Sequence, residues 1–155
     1  MATRVGLIAD THGLLRPEAA AALAGSEQIL HAGDIGGRDV LDALALIAPV
    51  VAVRGNNDMD PWGRTLPSRV SLTIEDVRVL LTHDLNEVDV ARAAAETDVI
   101  VVGHSHRPRT ERRDGVLVVN PGSAGPRRFS LPVAVATMIV DGRGVDVEVR
   151  PLRLA

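Results

Sequence analysis

The chain has 155 residues, enough for one compact domain, and its 17 basic residues are all arginines, which against 20 acidic residues leave a net charge of −3. This balance argues against a nucleic-acid binder that depends on bulk positive charge. Because cysteine is absent, disulfides and thiolate metal sites are excluded, and any metal must be held by nitrogen and oxygen.

Other features of the composition narrow the class of protein further. Trp62 and Phe129 are the whole aromatic content, so stacking platforms for single-stranded nucleic acid are missing. The N-terminal sequence enters an apolar run almost at once without room for a signal peptide, and no apolar run reaches about 18 residues. We therefore expect a cytoplasmic protein with no membrane partner.

Short apolar runs alternate with alanine-rich stretches over the first two thirds of the chain, a rhythm typical of βαβ units. The first predicted strands are "RVGLIA" at 4–9, "QILHAG" at 28–33, "VVAVRG" at 50–55 and "DVIVVG" at 98–103. The predicted helices cover 17–25, 38–49 and 86–98. Pro17 suits a first helical position, Gly25 and Pro49 are stop signals, and Asn86 is the expected N-cap of the third helix.

Three hairpins are predicted from further alternating runs: 69–76 with 77–83, 109–115 with 116–120, and 133–142 with 144–150. The Asp-Gly pairs at 114–115 and 141–142 are strong turn signals. Parallel strands together with several hairpins predict an α/β protein in which two mixed β-sheets pack together and are flanked by helices. Residues 1–155 are expected to form a single domain.

Metal-type side chains follow the predicted strands directly. They are Asp10 and His12 after the first strand, Asp34 after the second, Asn56, Asn57 and Asp58 after the third, His83 after "RVLLT", and His104 and His106 after "VIVVG". In an open α/β sheet, ligands bind at the carboxyl ends of the strands, so these clusters can converge on one site.

The spacing within two clusters supports a shared site. Asp10 and His12, like His104 and His106, are two residues apart, which in extended backbone places both side chains on one side at about 7 Å. One ion would suit Asp10 and His12, whereas two ions about 3.5–4 Å apart would use the whole set. Asp34 is the natural bridge, because Gly33, Gly36 and Gly37 let the backbone approach closely.

Six motifs in order along the chain resemble one family. They are "DTHG" at 10–13, "GD" at 33–34, "GNND" at 55–58, "TH" at 82–83, "GHSH" at 103–106 and "NPGS" at 120–123. This series resembles the calcineurin-like metallophosphoesterases, in particular the small bacterial and archaeal phosphodiesterase branch that is also similar to the retromer subunit. The resemblance implies the fold of that family, a four-layer α-β-β-α sandwich.

The resemblance also implies a metal site and a reaction. A first metal ion would be held by Asp10, His12, Asp34 and His106, and a second by Asp34, Asn56, His83 and His104. Mixed imidazole and carboxylate ligands suit divalent transition metals, with Mn foremost and Ni, Zn, Fe and Co as alternatives. The implied reaction is hydrolysis of a phosphodiester by a hydroxide that bridges the two ions.

Asn57 departs from much of the superfamily, in which this position is a histidine that can donate a proton to the leaving group. An amide cannot act as a general acid at neutral pH, and losing such an acid typically costs about 10²- to 10⁴-fold in rate. We therefore expect modest rates and a preference for good leaving groups. Two smaller departures are Ala9 in place of serine and Asp84 in place of glycine, where Asp84 could orient His83 or face solvent.

The expected roles follow. Asn57, Asp34 and His104 are the expected catalytic residues, and Asn56, Asn57 and Arg16 the expected substrate contacts, with Arg16 equally suited to solvent. His31 falls within a strand end and is expected to be structural, and the arginine pairs of "ERRD" and "PRRFS" are expected on exposed faces.

Each of these polar residues taken alone would be an ordinary turn or cap residue, so the prediction depends on the set. The substrate is expected to be a small phosphate ester, and a homo-oligomer is compatible with the sequence. The main alternative is a protein-interaction scaffold with the same fold. A phosphomonoesterase and a nuclease are less favoured, the latter because a strand-binding surface is not evident.

Overall fold

The computed structural model describes residues 2–154, which form ten strands and three short α-helices. The strands are β1 (Ala2–Ile8), β2 (Gln28–His31), β3 (Val50–Ala52), β4 (Arg69–Ile74), β5 (Val77–Thr82), β6 (Val99–Val101), β7 (Arg109–Arg113), β8 (Val116–Asn120), β9 (Ala134–Asp141) and β10 (Gly144–Pro151). The helices are α1 (Pro17–Leu23), α2 (Arg38–Ala45) and α3 (Val90–Ala93), and single 3₁₀ turns cover Gly63–Thr65 and Leu85–Glu87. Across these residues no helix has the length and apolar character needed to span a bilayer.

The strands form two mixed sheets of five, as predicted. The first sheet has the order β10-β9-β1-β2-β3, in which β1, β2 and β3 are parallel and β9 and β10 are antiparallel to their neighbours. The second has the order β4-β5-β6-β8-β7, in which β5, β6 and β8 are parallel. Each sheet therefore has a group of parallel strands whose carboxyl ends lie along one edge.

The hydrophobic core lies between the two sheets, and two further apolar layers cover their outer faces. Along β1, Val5 and Leu7 pack into the space between the sheets, while Ile8 packs outward against α1 and α2. On the outer face of the second sheet, Ile100 of β6 packs with Val90 of α3. This period-two alternation gives the four-layer α-β-β-α sandwich that the motifs imply.

The helices are shorter than the sequence predicts. Helix α2 ends at Ala45, well before Pro49, because the next residues close tight three-residue turns in which Leu46 N donates to Ala43 O. Only four residues of the predicted helix 86–98 are α-helical. The prediction that Asn86 is its N-cap is wrong: the Asp89 carboxylate accepts from Arg92 N and caps α3, whereas the Asp84 carboxylate accepts from Asn86 N in a separate 3₁₀ turn.

All three predicted hairpins are present. Between β7 and β8, Asp114 and Gly115 have φ of 53° and 80°, and positive values at both positions are what a two-residue type I′ turn requires. Between β9 and β10 the turn is centred one residue later than predicted, because Asp141 pairs with Gly144. These hairpins supply the antiparallel edges, and the parallel strands between them carry the polar loops.

Candidate metal centre

Loops from both sheets meet at the carboxyl ends of the parallel strands. Within the first sheet, Asp10 N donates to Gly33 O at 3.0 Å, which joins the loops after β1 and β2. Across the sheets, His104 N donates to an Asp10 carboxylate oxygen at 3.2 Å. The structure brings together all seven side chains predicted as metal ligands: Asp10, His12, Asp34, Asn56, His83, His104 and His106.

One half of the cluster contains Asp10, His12 and His106. Asp10 Oδ1 lies 4.0 Å from His12 Nε2 and 3.6 Å from His106 Nε2. The two imidazoles are stacked with centroids 5.2 Å apart, and their Nε2 atoms are 3.4 Å apart. Asp10 and His106 are buried, while His12 is partly open to solvent. Three donor atoms thus converge on one small volume.

The other half contains Asn56, His83 and His104. Asn56 Oδ1 lies 3.0 Å from His83 Nε2 and 3.1 Å from His104 Nδ1. His83 is buried, and its Nδ1 donates to Ala32 O at 2.7 Å, which directs Nε2 into the cluster. His104 is exposed and forms the rim of this half.

Asp34 lies between the two halves. Its Oδ2 atom is 3.7 Å from His12 Nε2 and 3.4 Å from His83 Nε2. Asn57 holds this carboxylate in place, since its backbone N donates to Oδ1 at 2.9 Å and its side-chain amide donates to Oδ2 at 3.1 Å. Asn57 therefore contacts a predicted ligand, and its amide group is engaged with Asp34.

The backbone at these ligands is left-handed, which contradicts the extended conformation assumed from the spacing. Positive φ occurs at Asp10 (55°), His12 (45°), Asp34 (55°), His104 (72°) and His106 (62°). Non-glycine residues rarely adopt this conformation, and such strain concentrates at functional sites. The loops coil back on themselves, so that side chains two residues apart still reach one centre.

Two glycines allow the loops to approach one another. A Cβ at Gly36 would overlap the backbone of Gly13, and a Cβ at Gly55 would overlap the carboxylate of Asp34. The first contact joins the loop after β2 to the loop after β1, and the second joins it to the loop after β3. Only glycine fits at these positions, as the glycine-rich sequence around Asp34 suggests.

Asp58, which the sequence analysis includes among the metal-type side chains but assigns to neither ligand set, is buried and joins two of these loops. Its carboxylate accepts hydrogen bonds from Ile35 N and Gly36 N at 3.1 Å and from Gly55 N at 2.8 Å. The loops that carry Asp34 and Asn56 are thereby held in register. The position of Asp58 as the last residue of the motif "GNND" was the signal in the sequence that could have indicated this role.

His31 is fully buried beneath the site and supports it. Its Nδ1 accepts a hydrogen bond from Gly33 N at 3.1 Å, so the proton lies on Nε2, which is 3.0 Å from Thr11 Oγ1. Thr11 in turn donates to Ile35 O at 2.7 Å. Both ring nitrogens are used in ties between loops, and burial lowers the pKa of His31 to about 3.

Burial and proximity shift the pKa values of the clustered side chains. Burial raises the pKa of Asp10 to about 7, although His83 opposes this shift. Burial lowers the pKa of His12, and lowers that of His106 to about 4, so both imidazoles are neutral near pH 7. For Asp34, burial would raise the pKa, but hydrogen bonds from His83 and Asn57 outweigh it and the pKa is lowered.

The donors fit a divalent cation. Asp10 Oδ1 is buried without a hydrogen-bond partner and faces imidazole nitrogens on both sides. A buried carboxylate oxygen in this position is costly unless a cation compensates it. Two groups of ligand atoms lie within 4.8 Å of one another: Asp10 with His12 and His106, and Asp10 with Asp34 and His83. Neutral imidazole and carboxylate are the donor types that transition metals favour.

Asp84 and Arg16 have partners that the sequence did not indicate. Asp84 contacts His104 instead of His83, with Asp84 Oδ2 3.9 Å from His104 Nε2. Arg16 donates from Nε to Gly125 O at 3.1 Å. Arg128, one of the pair in "PRRFS", is close enough to influence the pKa values of Asp10, His12 and His106, and no pattern in the sequence placed it there.

Comparison with known proteins agrees with this site. A model of the calcineurin-like phosphoesterase superfamily domain matches residues 3–143. The chain belongs to this superfamily. A probable metallophosphoesterase of Methanothermobacter thermautotrophicus is 34% identical, with 94% of this chain and 90% of that protein covered. A phosphodiesterase of Methanocaldococcus jannaschii is 28% identical, with coverages of 77% and 82%.

The calcineurin-like fold is also evident from solved structures. Vps29 of Chaetomium thermophilum superposes with a TM-score of 0.78 at 24% identity, with 96% of this chain and 100% of that chain covered. This similarity shows the shared fold. The relatives by sequence are named metallophosphoesterase and phosphodiesterase, so the superfamily to which the chain belongs includes hydrolases of phosphoric esters, and the chain has a group of potential metal ligands.

Proposed function

We propose that the protein hydrolyses small phosphodiesters with the help of two divalent transition-metal ions. The observation that carries this proposal is the position of the Asp34 carboxylate, whose Oδ2 lies 3.7 Å from His12 Nε2 and 3.4 Å from His83 Nε2. A single carboxylate within reach of two separate groups of imidazoles suits a pair of ions better than one. In this proposal, residues 1–155 form one catalytic domain. The protein acts in the cytoplasm.

The proposed ligand sets use every donor of the cluster. Asp10, His12, Asp34 and His106 hold the first ion, and Asp34, Asn56, His83 and His104 hold the second. When bound, the ions lower the pKa of a coordinated water and screen the charge of the phosphoryl oxygens. Mn is the foremost candidate, with Ni, Zn, Fe and Co as alternatives, because imidazole and carboxylate together suit these metals.

Side chains of the protein hold the proposed ligands in place and provide the proposed substrate contacts. Asn57 holds both oxygens of Asp34 through two hydrogen bonds, and this fixes the carboxylate between the two halves. His83 is fixed by Ala32 O, so its Nε2 remains available as a ligand. His104, which is exposed at the rim of the cluster, is the proposed catalytic residue on the side that the substrate would approach. Asn56 and Asn57 are the main proposed substrate contacts, and Arg16 is a further, less favoured candidate.

Asn57 also determines which esters react. Since an amide does not donate a proton to a leaving alkoxide at neutral pH, the leaving group must depart unaided or take its proton from solvent. Esters with good leaving groups should therefore react fastest. This argument, together with a relative named phosphodiesterase, supports diesters over monoesters as substrates.

The direct test is hydrolysis of an activated phosphodiester and the matching monoester by chelator-stripped protein, titrated separately with Mn, Ni, Zn and Mg. The expected result is metal-dependent turnover that favours the diester. Asp34→Asn should lose metal binding and activity together, because a neutral amide bridges two cations poorly. Asp42→Asn, at an exposed position on α2, is the matched control and should behave as the parent.

Asn57→His tests the account of the leaving group. If a missing acid limits the rate, this variant should hydrolyse the monoester about 10²-fold faster or more. No gain in a variant that still binds metal would remove the explanation.

The fold shared with Vps29 supports one other candidate, a protein-interaction scaffold. A scaffold has no need of seven converging donors, which is why we favour the enzyme. Absence of turnover with every metal, combined with a tight protein partner, would reverse this preference. A nuclease would lose activity at high salt, whereas hydrolysis of a small ester should change little.

A further inference from the structure

A cavity of about 310 Å³ lies directly beside the metal cluster. Two of its lining residues, Asn56 and His83, belong to the cluster, where Asn56 Oδ1 lies 3.0 Å from His83 Nε2. The cavity therefore shares a wall with the half of the cluster that contains these residues. Its volume is at the lower end of the range for small-molecule sites, so it suits a small organic group.

Arg54, two positions before Asn56, contributes a positive charge to the lining of this cavity. Its backbone N donates to Pro67 O at 2.9 Å and its side-chain Nη1 donates to Leu66 O, so the side chain is held against the segment before β4. Among residues 2–154, Arg54 forms no ion pair with a carboxylate. The remaining N–H groups of its guanidinium are therefore available to a ligand.

Two carboxylates line the same cavity. They belong to Asp84 and Glu87, in the turn after β5, where Glu87 N donates to Asp84 O at 3.1 Å. One carboxylate oxygen of Asp84 accepts from Asn86 N at 3.0 Å, and the other lies 3.9 Å from His104 Nε2. Within the part of the chain that the structure describes, the Glu87 side chain has neither a hydrogen bond nor an ion pair. Its carboxylate is thus an unused acceptor.

This mixture of charges determines which group the cavity can accept. An alkyl group would cover the guanidinium and the carboxylates without replacing their hydrogen bonds to water, which is unfavourable. A second anionic group would face two carboxylates, and a protonated amine would face the Arg54 guanidinium. Neutral hydroxyl groups can donate to the carboxylates and accept from the guanidinium. The hydroxyl of Ser68, which also lines the cavity, adds a further donor and acceptor.

We propose that this cavity binds an alcohol group of the substrate diester and selects neutral alcohols with several hydroxyl groups, with Arg54 and Glu87 as determinants of specificity. This inference rests on the proposed function, because it needs the phosphoryl group to be held at the metal cluster. Sites that hydrogen-bond a substrate hydroxyl discriminate strongly against analogues that lack it. The substrate class is then small phosphodiesters of polyhydroxylated alcohols.

The test compares the binding of glycerol 3-phosphate, propyl phosphate and ethanolamine phosphate to Mn²⁺-loaded protein by calorimetry. The three probes share a phosphoryl group and differ in whether a short alcohol carries hydroxyl groups, no polar group or an amine. Glycerol 3-phosphate should bind at least about 10-fold more tightly than propyl phosphate, as expected for hydrogen bonds to charged groups. Equal binding of these two probes, or tightest binding of ethanolamine phosphate, would overturn the proposal.

Variants then test whether the preference arises in the cavity. Glu87→Ala, at an exposed position, should reduce the preference for glycerol 3-phosphate over propyl phosphate by about 3- to 10-fold, because one acceptor is lost. Arg54→Met, which keeps the aliphatic part of the side chain, should reduce it similarly. Asn86→Ala is the matched neighbour, since Asn86 lies in the same turn without lining the cavity, and it should stay within about twofold of the parent.

The ratio between two probes separates this role from structural damage. Both probes carry the same phosphoryl group, so a disturbed metal cluster would weaken them equally and leave the ratio unchanged. An unchanged ratio in both Glu87→Ala and Arg54→Met, whether or not the affinities fall, would overturn the proposal.

Because calorimetry does not depend on turnover, the two proposals can fail separately. A parent that prefers glycerol 3-phosphate yet hydrolyses no ester would refute the proposed function and leave the binding site in the cavity standing. A parent that hydrolyses the activated diester but binds glycerol 3-phosphate and propyl phosphate equally would refute the assignment of the cavity alone.

Discussion

Asp58 is the buried side chain on which the geometry of the metal loops depends most directly. Its carboxylate accepts from three backbone N–H groups that belong to Ile35, Gly36 and Gly55, and it is 3% exposed. Asp58→Ala would leave these donors without an acceptor in a place that water reaches poorly. Asp58→Asn keeps the shape of the side chain but presents an amide nitrogen to at least one of the donors.

The cost can be estimated from these hydrogen bonds. A buried N–H left without a partner costs about 1–3 kcal/mol, and a hydrogen bond to a charged acceptor contributes about 1.5–3 kcal/mol. Asp58→Ala should therefore lower the free energy of unfolding by about 3–6 kcal/mol, and Asp58→Asn by about 2–4 kcal/mol. Domains of this kind are stable by only about 5–15 kcal/mol, so the asparagine variant is the better one to purify.

Urea unfolding of the metal-free protein measures this loss, and a Mn²⁺ titration measures its effect on the site. Because Asp58 holds the loops of Asp34 and Asn56 together, Asp58→Asn should also weaken Mn²⁺ binding by about 10- to 100-fold, as loss of supporting hydrogen bonds around a metal site generally does. Asp60→Asn is the control, since Asp60 is exposed and accepts one hydrogen bond, from Gly63 N. If the two variants unfold within about 1 kcal/mol of each other, the reasoning about Asp58 is wrong.

Three further predictions concern stability. The pKa of His31 is lowered by burial to about 3, so between pH 6.5 and 3 the unfolded chain binds a proton that the folded protein does not, and stability falls as the pH drops through this window. In urea unfolding measured from pH 7 to pH 4, the free energy of unfolding of His31→Asn should fall less steeply than that of the parent. Equal slopes would show that His31 is not the source of this pH dependence. Gly6→Ala places a Cβ 2.7 Å from Leu23 Cδ2 and 2.8 Å from Ser26 Oγ, and should cost about 1–3 kcal/mol in urea unfolding unless α1 moves freely away. Mn²⁺ at 100 times its Kd should raise the free energy of unfolding by about 2.7 kcal/mol in calorimetry, reversibly with a chelator, and no shift in Tm would show that the ion does not prefer the folded state.

The sequence predicted the two sheets and the convergence of the polar side chains well, and for one reason. Alternating apolar runs identify strands, and polar residues directly after parallel strands must meet at one edge, so Asp10 and His83 could be placed without knowledge of the loops. The helices were harder to predict. Alanine-rich composition suggests a helix at 86–98, but Asp84 and Asp89 each capture a backbone N–H and divide that stretch into two single turns.

Loop geometry could not be predicted from spacing. The left-handed backbone at five of the predicted ligands arises from contacts between loops that are distant in sequence, such as that of Gly36 with Gly13. The path of the loop between β8 and β9 depends in the same way on hydrogen bonds from Ala124 and Gly125 to the segment after β1. Such contacts leave no periodic signal in the sequence.

The division of the cluster between the two sheets has a consequence for the order of events during folding. Each proposed ligand set takes residues from both sheets: Asp10 and Asp34 follow strands of the first, and His83 and His106 follow strands of the second. Neither sheet alone can assemble a complete coordination sphere. In the proposed site, metal binding would therefore follow the docking of the two sheets, and the bound ions would then stabilise the docked sheets against separation.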